Sequence, residues 1–342
     1  MEMKKKFYTA ALGAILLAGC SQEETPVSGQ GEAVKMTFTA NLSTGIQSRA
    51  DGEAVVSVDK LICAVFKQET NDGQVSLNGT ELIRDTVDVD VTTGKATFTP
   101  TLLKSEKYGI VFWAYKEGTN FYNTENLAAI TFNPNVNDNV DPKAEGLVAY
   151  TSTIKNVSTD SSGDDLKVTL TRPLAQVNIA TTQSDWDIVE KLGETPATST
   201  ITLTNCSNVY NALNGTYSGG ATFTYTISLS NANKLADTEM VLLGTGYTFP
   251  GSTVDCSISL KNNAETPAEI YTKKVSFLPT ESNHRTNVVP ETTTDENGKE
   301  VGGLMTGTVS YEVTISEGYS NTTNKTPEEL EEEAKQNQGN NE

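Results

Sequence analysis

The side chains able to do acid–base, nucleophilic or metal chemistry are few and scattered in this chain. One histidine, His284, stands among 342 residues, so a site built from two or three imidazoles is impossible. A Ser-His-Asp triad could form only around it, yet His284 between Asn283 and Arg285 reads as a polar residue at the start of a strand. Beyond Cys20 the thiols are Cys63, Cys206 and Cys256, with no CxxC spacing that would suggest metal or redox work. Residues 135–141 and 295–298 have the texture of calcium loops but lack the spaced ligands and closing bidentate Glu of an EF-hand. No G-x-S-x-G, P-loop or GxGxxG occurs. The expectation is a non-enzyme without metal or cofactor, a protein that binds or builds.

Charge and composition narrow the partners. The chain carries 44 acidic against 25 basic residues, a formal net charge of −19. Nucleic-acid binding needs a basic stripe to displace phosphate counterions, and none exists here. Threonine, serine, asparagine and valine dominate, which favours strands and turns over helices.

Residues 1–19 read as a secretory signal. Lys4, Lys5 and Lys6 precede an apolar run from Phe7 to Leu17 that is too short to span a bilayer. Leu17-Ala18-Gly19-Cys20 then resembles the lipobox of bacterial lipoproteins, which implies a lipid on Cys20 and membrane contact through that lipid. Ser21-Gln22-Glu23-Glu24 resembles an export tag to the outer face of the outer membrane. An acidic linker that merely stays solvated has the same composition.

The elements that follow are short strands. Val34, Met36, Phe38, Ala40 and Leu42 alternate with polar residues, a strand with one buried face. Leu61–Phe66 is continuously apolar, as in a strand covered on both faces, and it makes Cys63 a small buried hydrophobe. Asn71-Asp72-Gly73, Asn78-Gly79, Asn214-Gly215 and Asn262-Asn263 are turn signals. Val87-Asp88-Val89-Asp90-Val91 and Ala96–Thr99 read as a hairpin about Thr93-Gly94-Lys95, and Tyr108–Tyr115 as a central strand. Residues 133–142 and 156–165 are polar loops. Pro173 interrupts the long run from Leu166 to Ile179 and marks a bulge or edge, with the domain boundary expected just before it.

Further strands are expected at 200–204, 221–229, 240–243, 254–260, 271–278 and 308–315, with one short helix over 185–192. Cys206 and Cys256 could bridge two of these strands or stay apart; three cysteines cannot all pair in one chain. Thr326-Pro327-Glu328-Glu329 is a helix start on a polar, acidic tail. Strands at short intervals without long helices argue for an all-β sandwich architecture.

Three segments then resemble the fimbrillin superfamily, lipoprotein pilins of Gram-negative bacteria. They are the lipobox and early strand with Arg49-Ala50 behind it, Arg172-Pro173-Leu174-Ala175-Gln176-Val177 at mid-chain, and Asn283-His284-Arg285-Thr286-Asn287 followed by Leu304-Met305-Thr306-Gly307. The resemblance extends to about Tyr319. It implies two tandem transthyretin-like β-sandwich domains, expected over 33–165 and 166–319, after a tether at 20–32 and before a tail at 320–342. It further implies polymerisation with other pilus subunits by strand exchange, after a trypsin-like cut at Arg49-Ala50. Arg49-Ala50-Asp51-Gly52 also reads as a plain exposed turn.

Such a cut would remove residues 20–49, and with them the lipid and the strand Val34, Met36, Phe38, Ala40, Leu42. Each of those five apolar side chains, fully buried, stabilises by roughly 1.5–3 kcal/mol. Together they contribute on the order of 10 kcal/mol, comparable to the ~5–15 kcal/mol stability of a native domain. The donor would be the strand carrying Val309, Tyr311, Val313 and Ile315, because the polar tail behind it cannot fill apolar pockets. Stalk, anchor and tip roles stay open. A second reading is a non-polymerising surface lipoprotein whose sandwich binds a glycan or host ligand through exposed tyrosines and tryptophans, Trp113 and Trp186 among them. Asp85-Thr86-Val87 fits a short O-glycosylation sequence.

Overall fold

A computed structural model describes residues 32–42, 58–137, 140–144, 146–160, 165–236, 238–251, 254–294, 296, 300–306, 311–317 and 321–325. Among them there is one α-helix, α1 (Gln183–Lys191), and the rest of the regular structure is almost entirely strand. The all-β class expected from composition is the class observed.

The first sandwich is built from β1 (Ala33–Lys35), β2 (Thr37–Leu42), β3 (Lys60–Asn71), β4 (Gln74–Asp88), β5 (Lys95–Phe98), β6 (Thr101–Leu103) and β7 (Lys107–Tyr115), with two strands from further along. After β8 (Tyr122–Asn123) and β9 (Ile130–Phe132) come β10 (Tyr150–Ser158) and β11 (Asp165–Leu170). One sheet runs β10-β7-β3-β4 and faces a second ordered β11-β2-β5. The side chains of β3 explain its unbroken apolar run. Leu61, Cys63 and Val65 enter the core between these two sheets, while Ile62, Ala64 and Phe66 point the other way into the larger core shared with the second half. Asn71-Asp72-Gly73 is the β3–β4 hairpin turn, with positive φ at Asp72 and Gly73.

The second sandwich pairs the sheet β17-β12-β20-β23-β24 with β16-β13-β18-β19. Its strands are β12 (Ala175–Thr181), β13 (Pro196–Cys206), β16 (Ala221–Ser228), β17 (Val241–Thr248), β18 (Val254–Asn262), β19 (Glu269–Leu278), β20 (Arg285–Pro290), β23 (Tyr311–Glu317) and β24 (Asn321–Lys325). Val177, Ile179, Ile201, Leu203, Tyr225 and Leu243 are part of its core. Strands β14 (Val209–Asn211) and β15 (Thr216–Ser218) extend across to β9 and β8 in a small sheet that joins the two halves. A short ladder of β21 (Thr293–Thr294) and β22 (Glu300–Val301) completes the set.

Four local expectations are corrected. Asp165–Leu170 pairs with β2 and buries Val168 and Leu170 in the first sandwich, so this sandwich extends past the boundary expected at 165/166. Strands β4 and β5 do not pair as a hairpin, since they belong to different sheets; the bridge at this corner joins Lys95 to Asp90, which lies beyond the end of β4. Asn78-Gly79 is not a turn. Gly79, at φ +76°, lies inside β4, where the register to β3 slips. Residues 321–325, expected in the polar tail, form β24 at the sheet edge.

Candidate functional site

The five alternating apolar residues near the amino end lie in one slot of the first sandwich. They are carried on two strands, not one, with the break at Met36. Its amide still bonds Pro100 O at 3.0 Å. Strand β1 pairs antiparallel with β6, and β2 lies between β11 (parallel) and β5 (antiparallel). Val34, Met36, Phe38, Ala40 and Leu42 are all buried, none more than 7 % exposed. Period-two alternation dictates this, since every second side chain must face the opposite sheet. Phe38 sits at the slot centre with ring centroids 6.2 Å from both Phe98 and Phe112. The ends are pinned by Leu42 N–H to Gly94 O at 2.9 Å, and by the Lys104–Glu32 ion pair at 2.7 Å. Thr39, on the polar face, donates to Asp165 at 2.8 Å.

Cys20, Arg49 and Ala50 lie outside the described residues, as does Val309. Among the described residues no helix is long and apolar enough to cross a membrane. Tyr311, Val313 and Ile315 are on β23, paired with β20 on one side and β24 on the other, and Val313 is fully buried.

The other two resembling segments are brought together, and their role is architectural. Gln176, Val177 and Asn178 on β12 lie in parallel register with Arg285, Thr286 and Asn287 on β20. Asn178 donates to Asn287 at 2.8 Å and accepts from Thr245 at 2.6 Å and Gln176 at 2.9 Å. Leu304-Met305-Thr306 is held beside them by Asp185, almost fully buried on the first turn of α1. Its carboxylate accepts from the amides of Met305 (2.9 Å) and Thr306 (3.0 Å) and from the hydroxyls of Thr181 and Thr306. Thr182 is the N-cap of α1 and accepts Asp185 N–H at 3.1 Å. Nothing local foretells that the acid in this turn grips a segment so distant in the chain. Gly303 is required at this crossing, because an added Cβ would lie 2.0 Å from the Asp185 carboxyl carbon.

The remaining singled-out residues take structural places. Trp113 and Trp186 are fully buried, which corrects the expectation of exposed indoles for sugar stacking; Trp113 packs edge-on against Tyr122, centroids 5.3 Å apart. Cys63, Cys206 and Cys256 are buried free thiols. Register explains why the last two stay apart: Cys256 faces Leu203 across one ladder, and Cys206 faces Ala221 across another. Burial pushes all three thiols up, Cys206 to about 11, so they are protonated at neutral pH. His284 precedes β20, with Nδ1 2.7 Å from Ser282 O and Nε2 3.7 Å from Glu281. Thr86 is exposed on β4.

The fold is that of an all-β protein of two linked sandwiches, with β1 and β2 paired inside the first. The chain belongs to a family of unknown function, DUF6562, whose model matches residues 28–334. No curated protein matches it. Among solved structures it is similar to the tip fimbrial protein Mfa3 from Porphyromonas gingivalis, at 12% identity over 84% of this chain and 100% of that one, with a TM-score of 0.47. It is also similar to a fimbrial assembly protein from Parabacteroides distasonis, at 9% identity over 86% of this chain and 99% of that one, TM-score 0.44.

Proposed function

We propose that the chain is a fimbrillin-like surface lipoprotein, a structural or accessory (anchor or tip) pilus subunit that serves adhesion. The observation that supports this reading is the slot: β1 and β2 are paired with neighbours and bury five apolar side chains. Removing them would leave an apolar groove with unpaired backbone on β5, β6 and β11, a template for an incoming strand. The chain carries Arg49-Ala50 just behind β2, where a cut detaches both this strand and the lipid at Cys20. Uncut, the strand complements its own sandwich and blocks assembly. The donor is the strand with Tyr311, Val313 and Ile315, which must leave β20 and β24 to reach a neighbour.

The test compares size-exclusion profiles before and after limited trypsin treatment, with the new N-terminus determined by mass spectrometry. Ladders of multiples appearing with Ala50 as first residue are expected, and Arg49→Gln should abolish them. Unchanged monomers after cleavage at Arg49 would overturn assembly by this route.

A further inference from the structure

Five hydrogen bonds fasten one short segment of the second sandwich to the start of α1. The Thr182 hydroxyl donates to Gly302 O, and Leu304 N–H donates to the Thr181 hydroxyl at 3.2 Å. The amides of Met305 and Thr306 donate to the Asp185 carboxylate at 2.9 and 3.0 Å, and the Thr306 hydroxyl joins them. Thr181 in turn donates to Asp185 at 2.5 Å, so the bonds run together onto one buried anion and polarise one another. Leu304 is buried as well.

The strands that follow are held in another way. Among the described residues β24 is the edge of its sheet and pairs with β23 alone. Strand β23 lies against β20 through a ladder of six paired residues. Of the side chains described on it, Val313 is buried, while Tyr311, Glu312 and Thr314 are half-buried. Ladder bonds near a sheet edge are traded for bonds to water as a strand peels away, at a modest net cost each. The Asp185 cluster has no such exchange to offer, because lifting Met305 and Thr306 leaves a buried carboxylate short of its donors.

We propose that the Asp185 cluster is a stop: β24 and β23 open as one unit from the carboxyl side, and the opening halts after Thr306, with Gly302–Thr306 left in place on α1. The opening itself needs neither a cut nor a second copy. Its use in assembly rests on the strand-exchange reading above. There the stop fixes where the body of a subunit ends and its donor begins, so that every junction between subunits has the same length.

The test follows hydrogen exchange by mass spectrometry on the full uncut chain, with peptides that separate 302–306 from β23 and β24. In the wild type, β23 and β24 are expected to exchange about tenfold faster or more than Met305 and Thr306. Two variants attack the stop from its two sides. Asp185→Asn removes the charge, and Gly303→Ala sets a Cβ 2.0 Å from the Asp185 carboxyl carbon. Each should speed exchange at Met305 and Thr306 about tenfold or more, up to the rate of β23, while β2 in the other sandwich keeps its rate. If a variant fails to fold, the order of rates in the wild type decides alone. The stop is overturned if Met305 and Thr306 exchange as fast as β23 in the wild type, or if neither folded variant changes their rates. Ladders that fail to appear after cleavage at Arg49, with this order of rates intact, would overturn strand exchange and leave the stop standing.

Discussion

The carboxylate of Asp185, in the first turn of the lone helix among the described residues, receives the backbone amides of Met305 and Thr306 at 2.9 and 3.0 Å. A buried anion with four donors around it is worth far more intact than broken. It ties Leu304-Met305-Thr306, which precede β23, to the end of β12 where α1 begins.

Asp185→Ala should therefore lower unfolding stability by more than about 3 kcal/mol, since it strands several buried donors at once. Asp185→Asn, which keeps one acceptor oxygen, should cost less. Urea denaturation gives both numbers, and hydrogen exchange should show faster opening of β23 in the Ala variant. Equal stability of wild type and Asp185→Ala would remove the tie from the account.

Phe38 is the keystone of the amino-terminal slot. Truncating it to Ala leaves a hole beside Phe98 and Phe112 and should cost about 3–5 kcal/mol. Thr37→Ala, on the solvent-facing side of the same strand, should stay within about 0.5 kcal/mol. A small effect at Phe38 would mean that the strand contributes little to the sandwich.

Alkaline pH should weaken the fold before it touches anything else. Burial holds the Cys206 thiol at about 11 against an ordinary value of 9.0, and Cys63 and Cys256 are pushed up for the same reason. The unfolded chain then sheds thiol protons first, so stability is fully present below about pH 9 and falls as pH rises towards about 11. Tyr271, raised by burial to about 12, extends the loss upward. The urea midpoint should hold steady up to about pH 8 and then decline, less steeply in Cys206→Ala. A midpoint that is flat to pH 11 would contradict buried, protonated thiols.

Periodicity along the chain was a good guide where one strand's burial is a local matter. The alternation of Val34 to Leu42 named the buried face residue by residue, and the unbroken run of Leu61–Phe66 announced cover on both faces. The Asn71-Asp72-Gly73 turn and the short helix near Asp185 were equally legible, because a turn's positive φ and a single helical turn's pattern are set by neighbours in sequence. Such local rules failed at Asn78-Gly79, where a turn signal serves a bulge, and at Val87–Thr99, where a hairpin pattern is split between sheets.

By itself, then, the sequence determined the all-β class and the buried residues of β1 and β2, because composition and period two act within a few residues. The tertiary structure alone decided which strand each one pairs with: β2 with β11, and β12 beside β20, partners more than a hundred residues apart in the chain. It alone also decided that both tryptophans face inward and that Asp185 reaches Met305. Pairing partners and charge neighbourhoods are properties of chain closure, and no window of sequence contains both members of such a contact.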